Sequence, residues 1–493
     1  MPRPASHSPL ARDLADSCRL SDIGRDVGLM PNQVLRIAIS VSLLIGIIST
    51  PALGSSNGNL IYYAPPSGRE TAEGKVAVWT GETDVFGDQH GWLPTKEVLA
   101  YLAIFPVCDR SKFGNCIVSV STRSIGESRW TKGKPLVREI PTEIGRPTIS
   151  YSDGSPPHLV GFTEENPAIG LPAGGSPSIW ELSDAPHGGG SRYWLSVAVG
   201  SNLSNSGGGF SRFNVVLRPI DNQEFTEPLY FVPYQRGYNF PKDFEYRVEI
   251  KLGLTERVLP KFFYGRIAEP NIEIIKNRLI ISGRPGSFPV ARTNWIPYDT
   301  LSDRAKAGTP SVEEIGLPKG WGNFFAWGTN RGFDESDFEG FQVFEKDLIQ
   351  LGSNTGWSFK SMTSSYSKCN LKNIGGFISS NSLLFSTRPP EWNPTEKSLM
   401  YRMASLSRNE KGQANKGNLD LAMHKELVKC LWGFVPDASS TAKVEVLYDD
   451  GRSSVGTSSL RVTKEWLYLN VSGYTFSSPR VKVRLSAGSK KKK

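Results

Sequence analysis

The stretch K-V-E-V-L-Y-D-D-G-R-S-S-V-G-T-S-S-L-R-V, residues 443–462, shows most directly how this chain folds. Apolar and polar residues alternate on both sides of Asp450-Gly451, and such alternation predicts strands that bury one face. An Asp-Gly pair between two such runs is a strong signal of a tight β-turn. We therefore predict a β-hairpin here.

The segment that follows continues the pattern. Residues 466–485 have the sequence W-L-Y-L-N-V-S-G-Y-T-F-S-S-P-R-V-K-V-R-L, which predicts two further strands. The aromatic residues of this segment are the expected core of the unit: Trp466, Tyr468, Tyr474 and Phe476.

Short apolar runs between Gly, Pro, Ser and Asn turns recur along the rest of the chain, which indicates strands. Residues 418–432 have helical spacing, but their L-D-L start also alternates, so helix and strand both remain open there. We predict a mainly β, multidomain, β-sandwich-like architecture with little helix. The other candidate strands are 98–107, 117–124, 193–199, 213–219, 246–252, 272–275 and 279–282, with a turn at Lys276-Asn277.

Residues 30–54, M-P-N-Q-V-L-R-I-A-I-S-V-S-L-L-I-G-I-I-S-T-P-A-L-G, have the order of an export signal. Arg36 precedes an apolar core, and Ala52 and Gly54 stand at a cleavage site before Ser55. The apolar core is shorter than the roughly 20 residues that a membrane-spanning helix needs. We expect residues 1–54 to be a leader and signal peptide, with Met30 as an alternative start codon. The mature chain is then secreted or surface-associated, without a transmembrane helix.

Four cysteines follow the leader, and an even number is typical of disulfides in an exported chain. A zinc site is the alternative, but no histidine or further cysteine lies near the first pair. The first disulfide would close a hairpin between strands 98–107 and 117–124. Spacing favours Cys108 with Cys116 and Cys369 with Cys430.

Changes in composition predict the domain boundaries. Gly- and Pro-rich segments after residue 284 indicate a connector, and the alternating strands return after about residue 350. The predicted divisions are a β-rich region at 55–290 with one or two sandwiches, a connector at 291–350, a C-terminal β domain at 351–487 and a basic tail at 488–493.

The connector contains a cluster of carboxylates in the sequence F-D-E-S-D-F-E-G-F. Ca²⁺ takes 6–8 oxygen ligands, so such a loop suits a calcium ion. Calcium is the one cofactor that we consider for this chain. A glycosidase acid/base pair is an alternative use of the same residues, and a solvated turn is the structural alternative. The candidate ligands are Asp334, Glu335, Asp337 and Glu339.

Just before this cluster, W-G-N-F-F-A-W-G-T-N combines aromatic and amide side chains. Exposed tryptophans can stack on sugar rings while neighbouring amides bond the hydroxyls, although aromatic residues more often fill a core. The candidate binding residues are Trp321, Asn323, Trp327 and Asn330.

Motifs of hydrolases are otherwise scarce. The sequence has no G-x-S-x-G and no H-E-x-x-H, and the H-G-G-G at 187–190 without a nucleophile elbow indicates a glycine turn. Two N-x-S sequons lie at Asn202 and Asn470, the second of them in a predicted strand.

The chain carries a formal net charge of +9, and Lys490–Lys493 supply four of these charges. A basic tail can bind any anionic polymer or lipid headgroup, and a solvated tail without a partner is the structural alternative. For an exported chain, an anionic polymer or glycan of the cell envelope is the expected partner, and nucleic acid is not.

The C-terminal patterns C-L-W-G-F, Y-D-D-G, W-L-Y-L-N-V-S-G-Y-T-F-S-S-P and V-K-V-R-L resemble the C-terminal region of uncharacterised secreted proteins of actinobacteria. The run F-I-S-S-N-S-L-L-F-S-T-R-P-P-E-W-N-P-T-E-K-S-L-M-Y-R-M-A-S is similar too, so the likeness covers about residues 353–487. This resemblance implies secretion and a β-rich fold, and it supplies no site.

Together these features predict an exported protein that binds envelope glycans or assembles into a surface structure, without catalysis. The alternatives are a secreted polysaccharide hydrolase with a carboxylate pair, and self-association through edge strands.

Overall fold

The protein is known from a computed structural model, in which residues 56–493 form one compact unit. The described residues contain 27 strands and one α-helix, which confirms the mainly β prediction. No helix in this described part could cross a bilayer. The structure describes residues 69–72, 75–80, 99–108, 114–137, 148–149, 158–159, 178–203, 209–220, 237–253, 261–293, 296–297, 341, 345–361, 369, 371, 374–386, 388–437, 440–447, 453–476 and 480–486.

The strands are numbered in chain order. Those of the first part are β1 (Arg69–Ala72), β2 (Lys75–Thr80), β3 (Leu99–Ile104), β4 (Cys116–Ser124), β5 (Thr131–Lys132), β6 (Lys134–Val137), β7 (Thr148–Ile149), β8 (His158–Leu159), β9 (Ser178–Glu181), β10 (Arg192–Leu203), β11 (Gly209–Pro219), β12 (Phe244–Lys251), β13 (Phe262–Gly265), β14 (Ile267–Ile275), β15 (Arg278–Thr293) and β16 (Ile296–Pro297).

A 3-10 turn at Glu345–Asp347 precedes the second part, whose single helix is α1 (Lys425–Trp432). The strands of this part are β17 (Leu348–Ser361), β18 (Gly376–Ser380), β19 (Leu384–Phe385), β20 (Glu391–Asn393), β21 (Ser398–Ala404), β22 (Lys416–His424), β23 (Thr441–Leu447), β24 (Ser453–Val455), β25 (Thr457–Val462), β26 (Trp466–Thr475) and β27 (Arg480–Ser486).

One long sheet, here called the shared sheet, runs through both parts of the chain. Strand β10 pairs with β3 and β9 on one side and with β11 on the other. From β11 the pairing continues in the order β17, β13, β18, β22, β26 and β25. Strands from both sides of the predicted connector therefore belong to the same hydrogen-bonded sheet.

A second layer, the N-terminal cover sheet, has the order β5, β4, β12, β15 and β14. The second half of β15 pairs with β17, so this layer is hydrogen-bonded to the shared sheet. Alternation explains its packing, because Tyr246, Val248 and Ile250 of β12 point to the core while the residues between them point outward. The core between this sheet and the shared sheet also contains Phe213, Phe359 and other residues of β11 and β17.

A third sheet, the C-terminal cover sheet, pairs β19 and β20 with β21, then β27, β23 and β24. Its core against the shared sheet contains Leu399, Val444 and Val483. The central strands β13 and β18 are buried along their whole length, and Phe263 faces one core while Phe262 and Tyr264 face the other. The shared sheet is thus the middle layer of three.

Several sequence predictions are confirmed, and two change in detail. The turn at Lys276-Asn277 joins β14 to β15, and β23 pairs with β24 as the predicted hairpin. Its second strand is interrupted at Gly456, so β24 stays in the C-terminal cover sheet while β25 joins the shared sheet. In the segment 418–432 both predicted structures occur: it is a strand up to His424 and a helix after it.

Both predicted disulfides are present, with Cα–Cα separations of 4.9 Å for Cys108–Cys116 and 5.9 Å for Cys369–Cys430. The predicted hairpin around the first is wrong, because β3 pairs with β10 and β4 pairs with β12 and β5. Strand β3 thus belongs to the shared sheet and β4 to the N-terminal cover sheet. The disulfide therefore links two layers near the bridge between Val107 and Ile117.

Candidate functional site

The two sets of site residues that the sequence predicts lie outside the described residues, as do the basic tail and the leader. These are the glycan candidates Trp321, Asn323, Trp327 and Asn330 and the calcium candidates Asp334, Glu335, Asp337 and Glu339. Among the residues that the structure describes, no group of three or more His, Cys, Asp or Glu side chains is placed to bind a metal.

The structure instead places polar side chains in a row across the shared sheet. Ser379 of β18 pairs with Asp420 of β22, Asp420 pairs with Asn470 of β26, and Asn470 pairs with Ser459 of β25. Directly paired residues point to the same face of a sheet, so these four side chains, here called the polar row, share one face. Ala422 and Trp466 on that face belong to the core under the N-terminal cover sheet.

Exposure increases along the polar row. Ser379 and Asp420 are 2% and 3% exposed, Asn470 is half-buried, and Ser459 is exposed. Asn470 Nδ2 donates a hydrogen bond of 2.7 Å to Asp420 Oδ1. A surface molecule could therefore contact the exposed end of the row while Asp420 orients Asn470 from behind.

A β-bulge in β14 supplies the second partner of Asp420. The register between β14 and β15 shifts so that Glu269 and Pro270 lie opposite the single residue Gly283. Glu269 has a φ of 52°, which is uncommon for a residue other than glycine, and its backbone N–H donates to the Asp420 carboxylate. Gly283 permits the bulge, because a Cβ there would lie 2.7 Å from the carbonyl oxygen of Ala268.

Burial raises the pKa of Asp420 to about 6. The hydrogen bonds from Asn470 and the Glu269 amide act in the opposite direction, the charge of Glu269 raises the pKa further and that of Arg284 lowers it. Glu269 and Arg284 also form an ion pair with each other. A nearly inaccessible carboxylate with two donors is suited to fixing its neighbours, since a general acid must reach the group it protonates.

Beside the polar row, Tyr468 joins the two sheets. Its hydroxyl donates to Asn271 Oδ1 over 3.2 Å, and Asn271 Nδ2 donates to Glu273 Oε1 over 2.9 Å. The guanidinium of Arg461 lies 3.8 Å from the centre of the Tyr468 ring. Burial raises the pKa of the Tyr468 phenol, so this group remains a neutral donor at physiological pH.

The aromatic predictions for this segment are confirmed in part. Trp466, Tyr474 and Phe476 are buried, as expected for core residues. Tyr468 is only half-buried and packs at the edge of the core, with its ring 6.4 Å from that of Trp466. The sequon residue Asn470 lies within β26, and one N–H of its amide bonds Asp420.

The histidines with described side chains have structural contacts. His187 and Gly190 pair backbone to backbone, which makes H-G-G-G a tight turn, and the ring of His187 lies 5.3 Å from that of Tyr238. A Cβ at Gly189 would collide with Tyr238, which explains the glycine. His424 caps α1 by accepting from the N–H of Glu426. His90 and the side chain of His158 lie outside the described residues.

Sequence reasoning missed Asp420 as a site residue. The only signal was an acidic residue inside the apolar run L-D-L-A-M, which alternation assigns to a solvated face.

No family model, curated protein or solved structure matches the chain.

Proposed function

We propose that the chain is an exported protein that binds envelope glycans without catalysis, through the exposed end of the polar row and the Tyr468–Arg461 pair. The observation that carries this proposal is the open part of the row itself. Asn470 and Ser459 present hydrogen-bonding groups beside an aromatic ring and a guanidinium. Aromatic surfaces pack against the apolar faces of sugars, and amides and hydroxyls bond their hydroxyl groups.

The rigidity of this surface supports a binding role. Asn470 is held by Asp420, Tyr468 is held by Asn271, and all the main contact residues lie on strands. Sites on strands are positioned more accurately than sites on loops, and a preordered site loses less entropy on binding. The two disulfides support export, because they persist in oxidising compartments.

The proposal is tested by co-sedimentation of the purified protein with purified native cell walls. We expect Tyr468→Ala and Arg461→Ala each to weaken binding about tenfold or more, equal to roughly 1.4 kcal/mol. Arg388→Ala is the matched control, because Arg388 is another exposed arginine of the C-terminal part. The melting temperature of each variant is measured alongside.

Three results would contradict the proposal. They are no sedimentation of the wild-type protein with walls, equal sedimentation of the wild type and of both Tyr468→Ala and Arg461→Ala, and release of reducing sugar ends by the wild-type protein. The last result would favour the hydrolase alternative, and the connector carboxylates would be its first candidates.

A further inference from the structure

The outer face of the N-terminal cover sheet carries a second row of polar side chains, separate from the polar row. Ser121 of β4 pairs with Lys132 of β5 and with Arg247 of β12, and Arg247 pairs with Ser282 of β15. Tyr246 and Val248 point to the core, so Arg247 between them points outward. Side chains paired in this way have Cβ atoms about 4.5–5.5 Å apart.

Some charged side chains on this face form ion pairs and others do not. Arg123 is bound to Glu245 through a hydrogen bond of 2.6 Å, and Glu249 accepts from Arg278 at 2.6 Å and from Ser119 at 3.3 Å. Among the described residues, neither Arg247 nor Lys132 has a carboxylate within ion-pair distance. A third carboxylate, Glu273 of β14, lies on the same face opposite Ile280 and accepts from Asn271. All three carboxylates thus have donors other than Arg247 and Lys132.

Two guanidinium groups, those of Arg123 and Arg247, lie over the ring of Trp130. The guanidinium of Arg123 lies 4.5 Å from the centre of this ring and that of Arg247 lies 5.7 Å from it. Contact with an indole ring attracts a guanidinium and reduces the rotamer entropy that it loses when it binds a ligand. Arg247 is half-buried, so its planar fork is oriented and still reachable.

The flanking serines complete a donor set. Ser121 and Ser282 are only 6% and 7% exposed, on either side of Arg247. A guanidinium fork binds two oxygens of an oxyanion at once, and hydroxyl groups can donate to further oxygens. The three side chains lie side by side on adjacent strands, and three donors suit the several oxygens of a tetrahedral oxyanion.

We propose that Arg247, Ser121, Ser282 and Lys132 form a binding site for a phosphate or sulfate group carried by an anionic polymer. Arg247 binds two oxygens of the group, the serine hydroxyls donate to the others, and Lys132 adds charge at the edge. The site needs neither the polar row nor the glycan binding proposed above, so the two can fail independently.

The test measures binding of the full chain to inorganic phosphate, inorganic sulfate and polyphosphate by calorimetric titration at fixed low salt. We expect Arg247→Gln to weaken polyphosphate binding at least tenfold, Arg247→Lys to recover part of the loss, and Lys132→Ala to weaken binding a few-fold. Arg278→Gln is the matched control, since it removes one positive charge from the same face but leaves the Arg247 row intact. Circular dichroism and the melting temperature check that each variant is folded.

Titration with polyglutamate of similar length compares a planar carboxylate polymer with the tetrahedral phosphate polymer. Comparing the affinities for inorganic sulfate and inorganic phosphate shows which of the two groups the site prefers. Equal losses in Arg247→Gln and Arg278→Gln would mean that net charge alone attracts the polymer, which overturns the proposal. Unchanged polyphosphate binding in Arg247→Gln, or equal affinity for polyglutamate, would also overturn it.

Discussion

The two faces of β22 and β26 differ sharply although they belong to the same strands. Toward the C-terminal cover sheet, Leu419, Leu421 and Met423 pack with Leu467 and Leu469 in an apolar core. The opposite face is made by the residues that alternate with them, and it carries the polar row. Alternation of period two assigns each residue to one face. This pair of strands therefore serves an apolar core on one face, and on the other face it places Ala422 and Trp466 in the second core beside the polar row.

A polar residue that another layer covers needs hydrogen-bond partners within the fold. Asp420 is nearly as buried as Leu421, but its burial is tolerated because Asn470 and the Glu269 amide both donate to it. An unpartnered buried carboxylate would cost several kcal/mol or stay protonated. The bulge in β14 is therefore part of what allows the row to exist.

The largest expected effect is on the apolar face. Leu421→Ala should lower the free energy of unfolding by about 2–5 kcal/mol, because it removes a fully buried side chain and leaves a cavity. Urea unfolding followed by tryptophan fluorescence measures the loss. Leu460→Ala is the matched control on edge strand β25, where the leucine is half-buried, and its loss should be clearly smaller. Equal losses would mean that the two positions are equally packed.

The next effect is a pH dependence from the polar face. The pKa of Asp420 is about 6 in the fold against an ordinary value of 3.8, so the folded chain binds this proton more tightly. Stability from this group is therefore fully present below about pH 4 and is lost as the pH rises to 6, by about 3 kcal/mol in total. Asp420→Asn removes this component.

The measurement is urea unfolding of the wild type and Asp420→Asn at pH 4 and pH 7. Relative to the variant, the wild type should be more stable at pH 4 than at pH 7, because other titrating groups contribute equally to both proteins. A difference between the two proteins that does not change with pH would show that Asp420 titrates normally.

A smaller effect separates the buried and exposed ends of the row. Asn470→Ala should cost about 1–3 kcal/mol at pH 7, because it leaves Asp420 without a side-chain donor. Ser459→Ala, at the exposed end, should change stability by less than about 0.5 kcal/mol. Chemical unfolding at pH 7 compares the two. Similar costs at both positions would remove the distinction between an orienting end and a contact end.

Much of the fold could be predicted because its signals are local. Alternation located some of the strands, although not the central strands β13, β17 and β18. The cysteine spacing identified both pairs, and Lys276-Asn277 marked a turn. It was harder to predict which strands pair with each other. The two strands next to Cys108 and Cys116 do not form the predicted hairpin and pair with other strands. Which strands pair depends on residues far apart in the chain, and local patterns do not specify them.

The helix at 425–432 illustrates the same limit. Its start depends on the cap at His424, and its end on Gly433, whose φ is 75°. The strand before it has an equally regular apolar pattern, so periodicity alone left both options open. The pairing of β22 with β18 and β26 makes the first part of this segment, up to His424, a strand.

By itself, the sequence determined the fold class, some of the strands and the disulfide pairs, because these depend on neighbouring residues and on simple spacing. Only the tertiary structure decided that one sheet serves two cores, and that Asp420 is buried beneath a bulge. It also decided that Arg247 lies between two serines beside Trp130. The physical reason is that burial, partner and charge balance are properties of residues brought together from distant positions, which no local pattern encodes.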